Sequence, residues 1–134
     1  MDKKISFIGL GAMGGPMATN IIKKGIELFV YDIDENKKNK VVKEGGLASN
    51  NILDAVKDSD IVITMLPATE QVKTVLLGEN GVINNLKKDS LILDMSTISP
   101  KGTDEIAKKC KENELRFIDA PVGRLVSHAI AGES

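Results

Sequence analysis

The sequence has 134 residues, 28% of them charged, and a formal net charge of −1. A chain of this length suits one domain and can bury roughly two thirds of its unfolded surface, while the balanced charge offers no basic face for nucleic acid and nothing points to a bilayer. A single cysteine, Cys110, and a single histidine, His128, exclude an internal disulfide and a cysteine- or histidine-built metal site; the absence of Trp argues against a stacking platform for single-stranded nucleic acid.

The N-terminal run MDKKISFIGLG is too short in apolar residues for a signal peptide or a membrane span, so the expected location is the cytoplasm. Ile5, Phe7, Ile8 and Leu10 read as a strand buried on both faces of a parallel sheet. Gly9-x-Gly11-x-x-Gly14 follows at once, and Met13, Met17 and Ile21 then recur at i, i+4, i+8, the apolar stripe of a helix beginning near Ala12 or Met13. Glycines of this spacing are common in loops, but between a strand and a helix they read as a dinucleotide-binding turn. Gly9 permits the tight turn, Gly11 lets backbone approach a pyrophosphate, and Gly14 lets helix pack on strand. The free N–H groups and dipole of the helix start favour an anion. Pro16 falls among the first four helical residues, whose N–H groups lack intrahelical partners anyway.

Lys23-Lys24-Gly25 ends the helix. A second strand, Glu27 to Tyr31, leads into Asp32, about 20 residues beyond the glycine turn, where a carboxylate meets the ribose hydroxyls of NAD and repels the extra phosphate of NADP. Its other reading is the first residue of the turn before the next helix. Asp34 to Glu44 reads as an exposed helix anchored by Val41 and Val42, Leu47-Ala48 as a short strand, and Asn51 to Lys57 as a short helix.

Asp60 to Leu66 is a β-branched run of strand length closed by Pro67, whose turn faces the same crevice as Gly11 because ligands lie at the carboxyl ends of parallel strands. Thr69 is expected to cap a helix with Val72, Val75 and Leu76 inward. Gly78 to Gly81 is a turn, and Leu91 to Asp94 a further buried strand. Ser99-Pro100 starts a helix running to about Asn113 with Ile106 and Cys110 inward. Between them, Ser96 and Thr97 either offer hydroxyls to a substrate or the nicotinamide, or fasten the turn as short hydroxyl side chains do. Arg116 to Ala120 closes the pattern as another strand. The alternation predicts an α/β fold, a Rossmann-type doubly wound, mainly parallel sheet in one domain over residues 1–134.

FIGLGAMGGPMATN, ITMLP, DMSTISP and DAPVGR, in that order and spacing, resemble the N-terminal NAD-binding domain of the β-hydroxyacid dehydrogenases, which include 3-hydroxyisobutyrate dehydrogenase, tartronate semialdehyde reductase and sulfolactaldehyde reductase. The resemblance covers essentially the whole chain. It implies hydride transfer between NAD(H) and a small anionic aldehyde or 3-hydroxy acid. By matching positions it implies Gly9, Gly11, Ala12, Met13 and Gly14 at the pyrophosphate, Asp32 at the ribose, and Leu66, Pro67 and Thr97 at the cofactor. Ser96, Gly123 and Arg124 fall at the substrate.

The family commonly reads S-G-G after D-A-P-V, where this sequence has Gly123-Arg124-Leu125. The gained arginine looks most like the sulfolactaldehyde reductase branch, since a guanidinium fork suits a sulfonate or carboxylate and a charge-assisted hydrogen bond contributes roughly 1.5–3 kcal/mol. His128 replaces a usual glycine of the same loop and is read as structural. The family's proton-transferring lysine lies in G-x-G-x-x-x-K-x-x-N on an all-helical second domain. No lysine up to Ser134 stands in that motif, so the resemblance places the catalytic lysine beyond Ser134, and the all-helical catalytic domain is expected to be absent from this chain. Oligomers in the family form largely through the helical domain, so a homo-oligomer is expected of the full-length enzyme only. The competing expectations are a 3-hydroxyisobutyrate, tartronate semialdehyde or 6-phosphogluconate type of enzyme, a non-catalytic nucleotide-binding module, and a Rossmann domain for FAD or S-adenosylmethionine.

Overall fold

The computed structural model describes residues 3–121. Six strands, β1 (Ile5–Ile8), β2 (Phe29–Tyr31), β3 (Leu47–Ala48), β4 (Ile61–Thr64), β5 (Leu91–Asp94) and β6 (Arg116–Asp119), lie in the order β3-β2-β1-β4-β5-β6. Every pairing is parallel. This is the doubly wound Rossmann order, with the direction of winding reversing between β1 and β4.

Alternation along the strands divides the core in two. Phe7, Val30 and Ile63 face one layer with Ala18 and Val41, from helices α1 (Gly14–Lys23) and α2 (Glu35–Lys43). Ile8, Val62 and Ile92 face the other, with the short helix α3 (Ile52–Val56) and with α4 (Thr69–Leu77) and α5 (Pro100–Glu112), which contribute Val56, Val72, Leu76, Ile106 and Cys110. Buried hydroxyls extend the ties: Ser6 bonds the Ala55 carbonyl and the Ser59 hydroxyl, and Ser90 donates to the Ser59 carbonyl at 2.8 Å. The far edge is different. Most of β6 is exposed, with Ile118 half uncovered.

Several boundaries differ from the sequence expectation. β2 begins at Phe29, not Glu27, because its register with β1 starts at Ser6 opposite Phe29. The first helix starts at Gly14, one or two residues late, since the turn continues through Met13. Thr69 is not a cap. Ala68 occupies that position without a side-chain bond, and the Thr69 hydroxyl instead accepts from Ser99 N at 3.0 Å, tying the start of α4 to that of α5. Ser99 does cap α5, accepting from Gly102 N, and Asp34 caps α2. No helix among the described residues is long and apolar enough to cross a membrane.

A candidate dinucleotide cleft

β1 ends in a turn that only glycine can make at two of its three marked positions. Gly9 has φ +101°, and a Cβ there would stand 2.1 Å from the Met65 carbonyl oxygen. A Cβ on Gly14 would stand 1.9 Å from the Gly9 carbonyl oxygen, so the start of α1 rests directly on the strand end. Gly11 is otherwise. No protein atom lies within 4 Å of where its Cβ would be, and its φ is not in the left-handed range. The packing of the chain therefore gives no reason for glycine at position 11, whereas a ligand approaching the turn gives one. Among the described residues, the backbone N–H groups of Gly11, Ala12 and Met13 take no protein partner. With α1 behind them, they form the donor cradle and positive dipole end that a pyrophosphate fits.

The turn opens on a cleft of about 900 Å³. One wall carries Tyr31, Asp32, Ile33, Asp34 and Lys37; the other carries Met65, Leu66, Pro67 and the α4 side chains Gln71, Thr74 and Val75. Asp32 is half-buried on the rim. Its Oδ2 accepts from Leu10 N at 2.7 Å and its Oδ1 from Asp34 N at 2.8 Å, so the carboxylate is oriented by backbone at one bond per oxygen. An ionised carboxylate has about four acceptor sites, which leaves capacity for two hydroxyls. Ile33, 91% exposed, projects beside it. Behind this wall Lys38, 4% exposed, bonds through its ammonium to Glu35 at 3.0 Å and to the Ser49 carbonyl at 3.1 Å, pinning α2 to the segment after β3. A second hollow of about 750 Å³ follows the outer surface of α2 between Asp34 and Lys43. Apart from Val42 its lining is amide or charged, which is a solvated helix face.

Ser96 and Thr97 do not line the cleft with Gly11 and Asp32. Thr97 is exposed, and Ser96 is fully buried with its hydroxyl accepting from Leu66 N at 2.8 Å. Ser96 N in turn donates to Asp94 Oδ1 at 3.1 Å, and Thr64 Oγ1 donates to the same oxygen at 2.9 Å. Asp94 Oδ2 has no partner among the described residues. Burial pushes the Asp94 carboxyl above the usual carboxylate range; the Ser96 and Thr64 bonds oppose this, and the Asp119 charge on the neighbouring strand adds to it. Gly123, Arg124 and His128 lie outside the described residues, as does the stretch from there to Ser134, so the expectation of a catalytic lysine beyond Ser134 also falls outside them. Tyr31, Ile33, Gln71, Thr74 and Val75 line the cleft beyond the residues expected from the sequence. Ile33 alone left a signal, as an apolar side chain between two aspartates in a turn.

The family pattern described as the NAD binding domain of 6-phosphogluconate dehydrogenase matches residues 4–134. The chain belongs to this family of NAD-binding domains. It is 42% identical over 128 residues to 3-sulfolactaldehyde reductase of Escherichia coli, covering 96% of this chain and 43% of that protein. Against NAD-dependent L-serine dehydrogenase of Pseudomonas aeruginosa it is 39% identical, covering 97% and 44%. Among solved structures, Mycobacterium tuberculosis 3-hydroxyisobutyrate dehydrogenase with L-serine superposes with a TM-score of 0.81 at 30% identity, over 90% of this chain and 40% of that one. The chain thus spans less than half the length of the relatives it matches. These β-hydroxyacid dehydrogenase relatives share its first-half pattern while differing in the substrate each is named for.

Proposed function

We propose that this NAD-binding domain serves an oxidoreductase that passes a hydride between NAD(H) and a small anionic aldehyde or 3-hydroxy acid. The observation that carries this reading is the convergence, in one cleft, of unpartnered N–H groups at Gly11 to Met13 with the oriented carboxylate of Asp32. Gly11, Ala12, Met13 and the α1 dipole take the pyrophosphate. Asp32 accepts from the adenosine ribose, and Ile33 offers its apolar side to the base. Leu66 and Pro67, on the far side of β1, border the nicotinamide half, with Thr97 beyond them. When bound, NADH supplies the hydride; the chain's own residues hold and orient it and keep its reactive end against the strand ends.

The substrate reading rests on Arg124 and Gly123, whose place in the sequence supports an anion-binding loop of the sulfolactaldehyde reductase kind. The 42% identity to that reductase favours it. The L-serine dehydrogenase, at 39%, keeps a hydroxy-acid substrate in contention. No lysine between Met1 and Ser134 stands in the family's proton-transfer motif, so none is assigned that role.

Calorimetric titration tests the cofactor reading. NADH should bind saturably and more tightly than NADPH; tighter NADPH binding would overturn the Asp32 assignment. Mixed with sulfolactaldehyde and NADH, the purified chain should oxidise NADH at no more than background rate, because general acid–base help is commonly worth ~10²–10⁴-fold. Measurable turnover would place the proton donor within these residues.

A further inference from the structure

The end of β4 is held from two sides. On one, the Met65 carbonyl packs against Gly9 so closely that a Cβ could not fit, and Leu66 Cδ2 lies next to the same glycine. On the other, the Leu66 N–H is held by the Ser96 hydroxyl, the Ser96 N–H by Asp94, and Asp94 by Thr64. Thr64 and Asp94 are register partners on adjacent strands, so this chain of bonds leaves the end of β4, crosses to the end of β5 and returns at Leu66, two residues past Thr64. Thr64, Asp94 and Ser96 are all fully buried. None lines the cleft, whereas Met65 and Leu66 do.

We propose that Ser96 is a positioning residue for the nicotinamide half of the cofactor, acting through the backbone of Leu66, with Asp94 and Thr64 fixing Ser96. The topology gives the half. Asp32 lies on the β2 side of β1 and the Leu66 turn on the β4 side, and a dinucleotide crosses between them at the glycine turn. A loosened Leu66 turn therefore disturbs contacts made by the nicotinamide riboside and not those made by the adenosine end. A hydroxyl serving only the general fold would disturb both alike. The raised pKa of Asp94 accords with a carboxyl sealed behind the cleft wall.

This inference rests on the NAD reading above, and the measurement separates the two. Saturable NADH binding by the unaltered chain is the requirement of that reading alone. With it met, Ser96→Ala should weaken NADH by roughly 2- to 10-fold, the range of one net hydrogen bond, and leave ADP-ribose within about 2-fold. Ser96→Thr, which keeps the hydroxyl, should restore NADH affinity. Equal weakening of NADH and ADP-ribose, or no change in either, would overturn the proposal. Should Ser96→Ala fail to fold, Thr64→Val removes the other donor to Asp94 Oδ1 without changing side-chain shape. It should shift the NADH to ADP-ribose affinity ratio in the same direction by less, and an unchanged ratio would equally overturn the proposal.

Discussion

Asp32 and Asp94 follow or end parallel strands of one sheet, and each is oriented by a backbone N–H, yet they sit in opposite surroundings. Asp32 carries one bond on each oxygen and faces a cleft. Asp94 carries two bonds on one oxygen and none on the other among the described residues, and is sealed from solvent. The same contrast divides the glycines: Gly14 is pressed against backbone, while the space before Gly11 is open. Open positions are those whose chemistry faces outward to a ligand. Sealed ones transmit shape.

The sharpest break in that contrast is Gly14→Ala against Gly11→Ala. With 1.9 Å to a carbonyl oxygen, Gly14→Ala should lower the melting temperature severely or prevent folding. Gly11→Ala should melt within a few degrees of the unaltered chain and still lose NADH affinity, read by thermal melting and titration of the same sample. A comparable loss of stability at both positions would remove the argument for a ligand at Gly11.

Next in size is Asp32→Ala, for which loss of charge-assisted bonds to the ribose predicts NADH binding weaker by roughly 10- to 100-fold. The NADPH affinity should fall less, so that the preference narrows.

Smaller still is Asp94→Asn, which keeps an acceptor for Thr64 and Ser96 but carries no charge. The Asp94 pKa is raised in the folded state, so its protonated form contributes stability fully present below the ordinary carboxylate value and lost as pH rises through the folded value. The variant should therefore melt at or above the unaltered chain near pH 7 and lose that advantage towards about pH 4. A deficit at neutral pH that vanishes in acid would show that the sealed charge is itself stabilising. As a baseline for all of these, Cys110, buried in the core with its thiol pushed up to about 11 by that burial, should react with a thiol reagent only on unfolding.

The sheet and the open half of the cleft were legible because each depends on short patterns. An apolar strand, a glycine turn and an aspartate about 20 residues on are all local signals, and parallel sheets place their successors at the same edge. The sealed half was not legible. A serine after DM reads alike as a ligand contact or a turn fastener, and only the register of β4 with β5 shows that its hydroxyl meets Leu66 N. Thr64, a hydroxyl closing the otherwise apolar IVIT, was the available hint that a buried polar partner stood on the next strand. Thr69 departs from its expected cap role for a related reason. A hydroxyl at a helix start is usually a cap, but here the start of α5 lies close enough to claim it through Ser99 N.

The junction of β1 with β4 also has a kinetic meaning. Lys4 and Asp60, joined by a backbone-to-carboxylate bond of 2.8 Å at its foot, are 56 residues apart in the chain. Closing such a loop costs entropy before any contact across it repays that cost, and parallel pairings of this kind are intrinsically slow. The two flanks, β1 to β3 and β4 to β6, meet along this junction, and the cleft exists only when they are joined. A ligand that needs Asp32 on one flank and Leu66 on the other has nothing to bind until then. Its free energy of binding falls wholly on the joined state and adds to the stability of that seam.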